Sequence, residues 1–243
     1  KNIGNVNLWF TEDGTEQYHF PEDYFKIKTK YFEYLTSRKE NITYNLIRNC
    51  FHSAAEPMKI ITEIILPAID SVHNLLDQGK IGRSELNLLE KIISNSIQII
   101  NLEGVQSDPK KNVVVISADY QSVLVSEAIS ASFHTDGWQV YSLGDMSPSI
   151  DVLFDLDLQK FLTKIWKSRI GIMIVVVFSS TEDSLKFFAE SVNSIKSRFQ
   201  RNLYLVLCGK VEKNTIKADL ISQDVESAIQ WSQTIFENFV SRV

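Results

Sequence analysis

Residues 113–129 read VVVISADYQSVLVSEAI, and the change of period inside this stretch decides the fold. Val113, Val114, Val115 and Ile116 form an apolar, β-branched run without alternation, the pattern of a strand buried on both faces. From Val123 the sequence becomes helical and continues to about Phe133. A strand, a short loop and a helix open a unit built on a parallel sheet, where ligands bind outside the carboxyl ends of the strands. The loop between them, SADYQSVL at 117–124, therefore lies where chemistry is expected, yet it contains no glycine, histidine or cysteine.

Working outward, short apolar runs at 113–117, 138–143, 171–178 and 203–208 alternate with helical segments at 123–135, 150–167, 181–199 and 224–240. This alternation predicts an α/β domain over 112–243 with helices on both faces of the sheet. The run from Gly171 to Phe178 is apolar throughout, as a central parallel strand should be, and a weaker fifth strand fits Ala218–Ile221. The expected architecture is a Rossmann-like, flavodoxin-like sheet in the order 2-1-3-4-5. Its carboxyl ends carry Ser117–Leu124, Gly144–Ser149, Ser179–Thr181, Cys208–Lys210 and Ser222–Asp224.

Upstream the period is helical. Pro21, Glu22 and Asp23 suit a first helical turn, followed by an aromatic face of Tyr24, Phe25, Tyr31 and Phe32 with Leu35. A second helix carries Ile42, Leu46, Ile47 and Phe51. A third starts near Glu56-Pro57 and runs to Leu76, with Pro67 expected to kink it or remove one hydrogen bond and Gly79 to stop it. Ser84 and Glu85 open a fourth, which carries Leu88 to Ile100. These segments predict a four-helix bundle over 22–102, after a tail at 1–21 and before a polar linker at 103–111.

The chain has 243 residues, a net charge of −5, 44% hydrophobic residues and 23% charged ones, enough apolar content for a substantial core. No basic stripe marks a nucleic-acid surface and no long apolar run marks a membrane span. The start, KNIGNVNLWF, has neither an initiator Met nor a secretion-signal core, which reads as a fragment or a processed chain. Two cysteines, Cys50 and Cys208, make no disulfide framework and suit a reducing cytoplasm. Glycine-rich phosphate loops and nucleophile–base spacings are missing, so the chain is expected not to be an enzyme. Asp151, Asp155 and Asp157 cluster where a helix starts, a position that favours carboxylates without any catalytic role. His19, His52 and His134 have no partner at metal-ligand spacing.

A helical bundle followed by a five-stranded α/β domain resembles the cobalamin-binding module of corrinoid methyl-transfer proteins, methionine synthase and light-sensing regulators. Three stretches carry the resemblance. EIILPAIDSVHNLLDQGKIGRSELNLLE (63–90) is similar to the bundle segment with its Leu-x-Pro-Ala helix. DGWQVYSLGDMSPSIDVLF (136–154) is similar to the second strand and the Leu-Gly-x-x-x-Pro loop, and ADLISQDVESAI (218–229) to the last strand and helix.

The family's loop reads Asp-x-His-x-x-Gly, the His binding below cobalt and the Gly making room for the nucleotide tail. The corresponding positions here are Asp119, Tyr120, Gln121, Ser122, Val123 and Leu124, so only the Asp is kept. An amide is a poor cobalt ligand beside imidazole, and a leucine crowds a place where backbone needs room. Ser179 and Ser180 stand for the third-strand Ser-x-Leu, and Cys208-Gly209 or Gly209-Lys210 for the fourth-strand Gly-Gly. Leu76, Leu86 and Asn87 stand for the upper cap, a Trp and a Glu-His pair in the light-sensing relatives. Leu76 and Leu86 read most simply as bundle core.

The resemblance implies a module that no longer ligates cobalamin, so cobalamin itself is not expected. The resulting expectation is a sensory or regulatory module, responsive to light or redox through another tetrapyrrole (heme or a bilin) or working through a protein partner. A ligand would touch Asp119, Tyr120, Gln121, Leu124, Ser179, Ser180, Cys208 and Gly209 from below and Leu76, Leu86 and Asn87 from above. His73 is a weak axial candidate for heme, and Cys208 a point of attachment for a bilin. The alternative is a corrinoid carrier of a methyl-transfer system, holding its cofactor without a protein ligand below cobalt.

Overall fold

The computed structural model describes residues 19, 23–102, 106–150, 153–167, 169–199, 202–209 and 216–241. The chain divides into two compact units, Lys1–Ile99 and Ile100–Val243. Asp151, Lys210 and all but His19 of the segment 1–21 lie outside the described residues.

In the first unit, α1 (Tyr24–Thr36) and α2 (Glu40–His52) are followed by α3 (Pro57–Ile60), which passes through one wide π-helical turn (Ile61–Ile65) into α4 (Leu66–Asp77); α5 (Arg83–Leu102) comes next. Pro57 opens α3 in the first-turn position that costs no hydrogen bond. The core is aliphatic: Ile27 and Leu35 of α1, Leu46 and Ile47 of α2, Ile60, Ile61, Ile64, Ile65, Ile69 and Val72, and Leu89, Ile92, Ile93 and Ile97 of α5 are buried. Two polar pairs fix α5 against its neighbours. The Tyr31 hydroxyl donates to Ser96 Oγ at 3.0 Å, and Asn95 Nδ2 donates to the Tyr44 hydroxyl at 2.9 Å. The expected aromatic face is only partly internal, because Tyr31 is buried while Phe25 is 75% exposed.

The second unit holds a five-stranded parallel sheet in the order β2-β1-β3-β4-β5. Its strands are β1 (Asp108–Ser117), β2 (Trp138–Asp145), β3 (Ile172–Phe178), β4 (Leu203–Cys208) and β5 (Leu220–Ser222). They alternate with α6 (Val123–Thr135), α7 (Phe154–Ile165), α8 (Glu182–Lys196) and α9 (Val225–Val240). β1 starts at Asp108, inside the stretch read as linker. Every residue of β3 is buried, as its unbroken apolar run requires.

One face of the sheet packs Val114, Ile116, Val175, Val177, Leu205 and Leu207 against Phe154, Leu158 and Leu162 of α7 and Leu185, Phe188 and Val192 of α8. Beside β2, Trp138 meets Phe133 of α6 edge-on at 5.3 Å and Phe236 of α9 at 6.1 Å. Among the described residues, no helix is long and apolar enough to cross a membrane.

Candidate functional site

The carboxyl ends of β1 and β3 meet at Asp119. It stands after β1 as the cap of a short 3-10 turn, Tyr120–Ser122. Its Oδ1 accepts from Ser122 N–H at 2.9 Å and Ser122 Oγ at 2.8 Å. Its Oδ2 accepts from Ser179 Oγ and Ser180 N–H, both at 2.7 Å, and from Ser180 Oγ at 3.1 Å. Burial alone would raise this carboxyl; the bonds from Ser179, Ser180 and Ser122 outweigh it and hold it below the usual carboxylate range. One side chain thus ties the β1 loop to the β3 loop, through hydroxyl and backbone amide donors.

The β4 end is laced to the same loops. Ser179 N–H donates to the Cys208 carbonyl and Gly209 N–H to the Ser222 carbonyl, both at 3.1 Å. A Cβ on Gly209 would lie 2.3 Å from the Ser179 carbonyl oxygen, so the glycine is needed by the backbone packing itself. What the edge offers to solvent is Tyr120, 66% exposed, together with the exposed Gln121 and Ser180.

The sequence-predicted residues separate into three groups. Asp119, Ser179, Ser180, Cys208 and Gly209 come together at this edge, with Tyr120 and Gln121 displayed beside them. Leu124 is in the core instead: it is 7% exposed and continues into Ala128 and Ala131 as one buried face of α6. Leu76, Leu86 and Asn87 belong to the helical unit, where Leu76 and Leu86 are half-buried and Asn87 is exposed. The bundle core is made by other residues. Ser122, absent from the predicted set, supplies two bonds to Asp119; its place three residues after an Asp at a helix start was the available signal.

Donors for a metal are few. Among the described residues, no three His, Cys, Asp or Glu side chains are grouped to hold an ion. Cys208 is 6% exposed, and burial, with a smaller effect of Asp224, pushes its thiol up to about 12. A thiol in that state is a poor nucleophile for a bilin. His73 Nε2 is engaged at 2.9 Å by Glu90 of α5.

A five-stranded parallel sheet in the order 2-1-3-4-5, preceded in the chain by a helical unit, is a flavodoxin-like, Rossmann-type architecture. The monomethylamine corrinoid protein of Methanosarcina barkeri aligns with 87% of this chain and 99% of its own, at a TM-score of 0.66 and 14% identity. The methanol:cobalamin methyltransferase complex of the same organism aligns with 97% of this chain and 90% of its own at 14% identity, with a TM-score of 0.40. No family model matches the sequence, and no curated protein does.

The expectation that cobalamin is unlikely is corrected by this finding: the fold is that of a corrinoid protein. A missing loop histidine is too narrow a ground for excluding the cofactor, because axial ligation is only one of the contacts that retain it. Heme or a bilin as its replacement, held by His73 or Cys208, draws no support from the engaged imidazole and the buried thiol.

Small hydroxyls and backbone groups at the edge suit the amide-rich rim and phosphate-bearing tail of a corrinoid. Among the described residues, no exposed imidazole or thiol stands at this edge. The residues fit a corrinoid held by its periphery.

Proposed function

We propose that the chain is a corrinoid carrier of a methyl-transfer system, binding its cofactor at the carboxyl edge of the sheet without a protein ligand below cobalt. The observation that carries this reading is the fold shared with a corrinoid protein along 87% of the chain. The edge supports it in detail. Asp119 locks the β1 and β3 loops together, which leaves Tyr120, Gln121 and Ser180 as the groups that would meet the corrinoid. A bound corrinoid supplies a cobalt that accepts and releases a methyl group. The protein's task is to bind, orient and present it, so the chain itself is a carrier and the catalysts are partner proteins on either side of the transfer.

Gel filtration after incubation with hydroxocobalamin tests the reading. Corrinoid absorbance should elute with the protein in a ratio near one to one, and Tyr120→Ala with Gln121→Ala should weaken retention. Corrinoid that elutes wholly as free cofactor would defeat the proposal.

A further inference from the structure

Every joint between neighbouring strands is bonded at or beyond its last paired residues. Met146 N–H donates to the Ser117 carbonyl across β2 and β1, and Ala118 N–H to the Phe178 carbonyl across β1 and β3, both at 2.8 Å. Ser179 N–H to the Cys208 carbonyl and Gly209 N–H to the Ser222 carbonyl, both at 3.1 Å, join β3 to β4 and β4 to β5. Asp119 adds its bonds to Ser179 and Ser180 above the β1–β3 joint. At the β3–β4 joint a single added methyl on Gly209 would already come within 2.3 Å of the Ser179 carbonyl oxygen.

The clefts between the sheet and its helices are filled as well. Helices that follow parallel strands start at the carboxyl edge, so α6, α7, α8 and α9 all begin there. Their first buried side chains are Leu124, Phe154, Leu185 and Ala228, which are 7%, 3%, 0% and 0% exposed. Packing is thus dense from the mouth of each cleft inward.

A cobalamin carries a nucleotide whose base either sits on cobalt or swings away from it. A base that swings away into the protein needs a slot of nucleotide size. Resting on the carrier reading, we infer that a cobalamin bound at this edge keeps its nucleotide outside the fold and its own base on cobalt. Threading the nucleotide between strands would break a backbone bond at one of the joints. Threading it beneath a helix would displace a buried side chain such as Leu124. Among the described residues, no exposed imidazole or thiol stands at the edge to replace the base on cobalt.

Absorbance of methylcobalamin with the full chain in excess at neutral pH tests this, with ultrafiltration giving the bound fraction. The bound cofactor should keep the spectrum of its base-coordinated form, not that of the acid form in which the base has left cobalt. Cobinamide, which lacks the nucleotide, should bind within about tenfold of cobalamin. Amide exchange at Ser179 and Gly209 should be as slow in the loaded protein as in the free one. A bound cofactor with its base off cobalt, a larger loss with cobinamide, or faster exchange at these amides would each overturn the inference while leaving the carrier reading in place. If no cofactor is retained at all, both fall together.

Discussion

Asp119 shows what one carboxylate can do for a loop. Ser179, Ser180 and Ser122 all donate to it, so Asp119→Ala would leave several donors unsatisfied and should cost about 1–3 kcal/mol in urea unfolding. Its lowered pKa fixes the sign of the pH dependence. The contribution is fully present above the unfolded-state value, about 3.9, and is lost as pH falls through the lower folded-state value. The stability gap between wild type and Asp119→Asn should therefore narrow between about pH 5 and pH 2; a gap independent of pH would show that the charge is not what matters. The two thiols give a second expectation. Burial pushes both Cys50 and Cys208 up to about 12, so a thiol reagent at neutral pH should label them only as fast as the chain opens. Rapid labelling of the native protein would contradict the burial. The sequence singled out Asp119 as a candidate, but its five donors come from two loops about sixty positions apart, a closure no local pattern contains. Cys208 was legible as a strand-end residue; its burial depends on neighbours brought in by β3 and β5.

At the scale of elements, the helix from Pro57 to Asp77 is the instructive case. Its buried residues fall at 60, 64, 68 and 72 and again at 61, 65 and 69, steps of four throughout. Four residues of α-helix advance about 400°, so such a stripe drifts about 40° per step around the axis. The wider turn at Ile61–Ile65 takes up part of this drift, and Pro67, which cannot donate a helical hydrogen bond, follows directly after it. The expected kink is thus realised as a π turn. The same turn leaves Thr62 Oγ1 buried without a partner. Thr62→Val removes that orphan at nearly constant volume and should raise stability by about 1 kcal/mol in a urea titration; a loss would mean that the hydroxyl is bonded after all. The strands were legible because β-branched apolar runs have few other uses. The start of β1 was not: Asp108-Pro109-Lys110-Lys111 reads as linker, and its pairing is dictated by β2 and β3 alongside it.

For the whole molecule, the placing of the histidines carries most consequence. His52 and His73 lie on α2 and α4, His19 precedes α1, and His134 sits at the far end of α6 beside the start of β2. No imidazole from the sheet unit reaches the edge where Asp119 stands. If a corrinoid is carried there without a protein ligand, as proposed, the electron paramagnetic resonance of its cobalt(II) form should be identical in 14N and 15N protein. A spectrum altered by labelling the protein would identify a ligand that the present geometry does not place. The parallel sheet and its strand order were readable from the switch of period near residue 110 together with the order of the motifs.

The brevity of β5 bears on how the protein behaves in a crowd. It pairs only with Val206, Leu207 and Cys208, which leaves the first half of β4 without a strand on its outer side, opposite β3. Asp219 occupies that gap by imitation: its N–H donates to the Leu205 carbonyl while its carboxylate accepts the Leu205 N–H. With Lys196 paired to it, a charged plug stands where the edge would otherwise invite another chain to add a strand. The same aspartate that closes the sheet thereby guards the protein against aggregation.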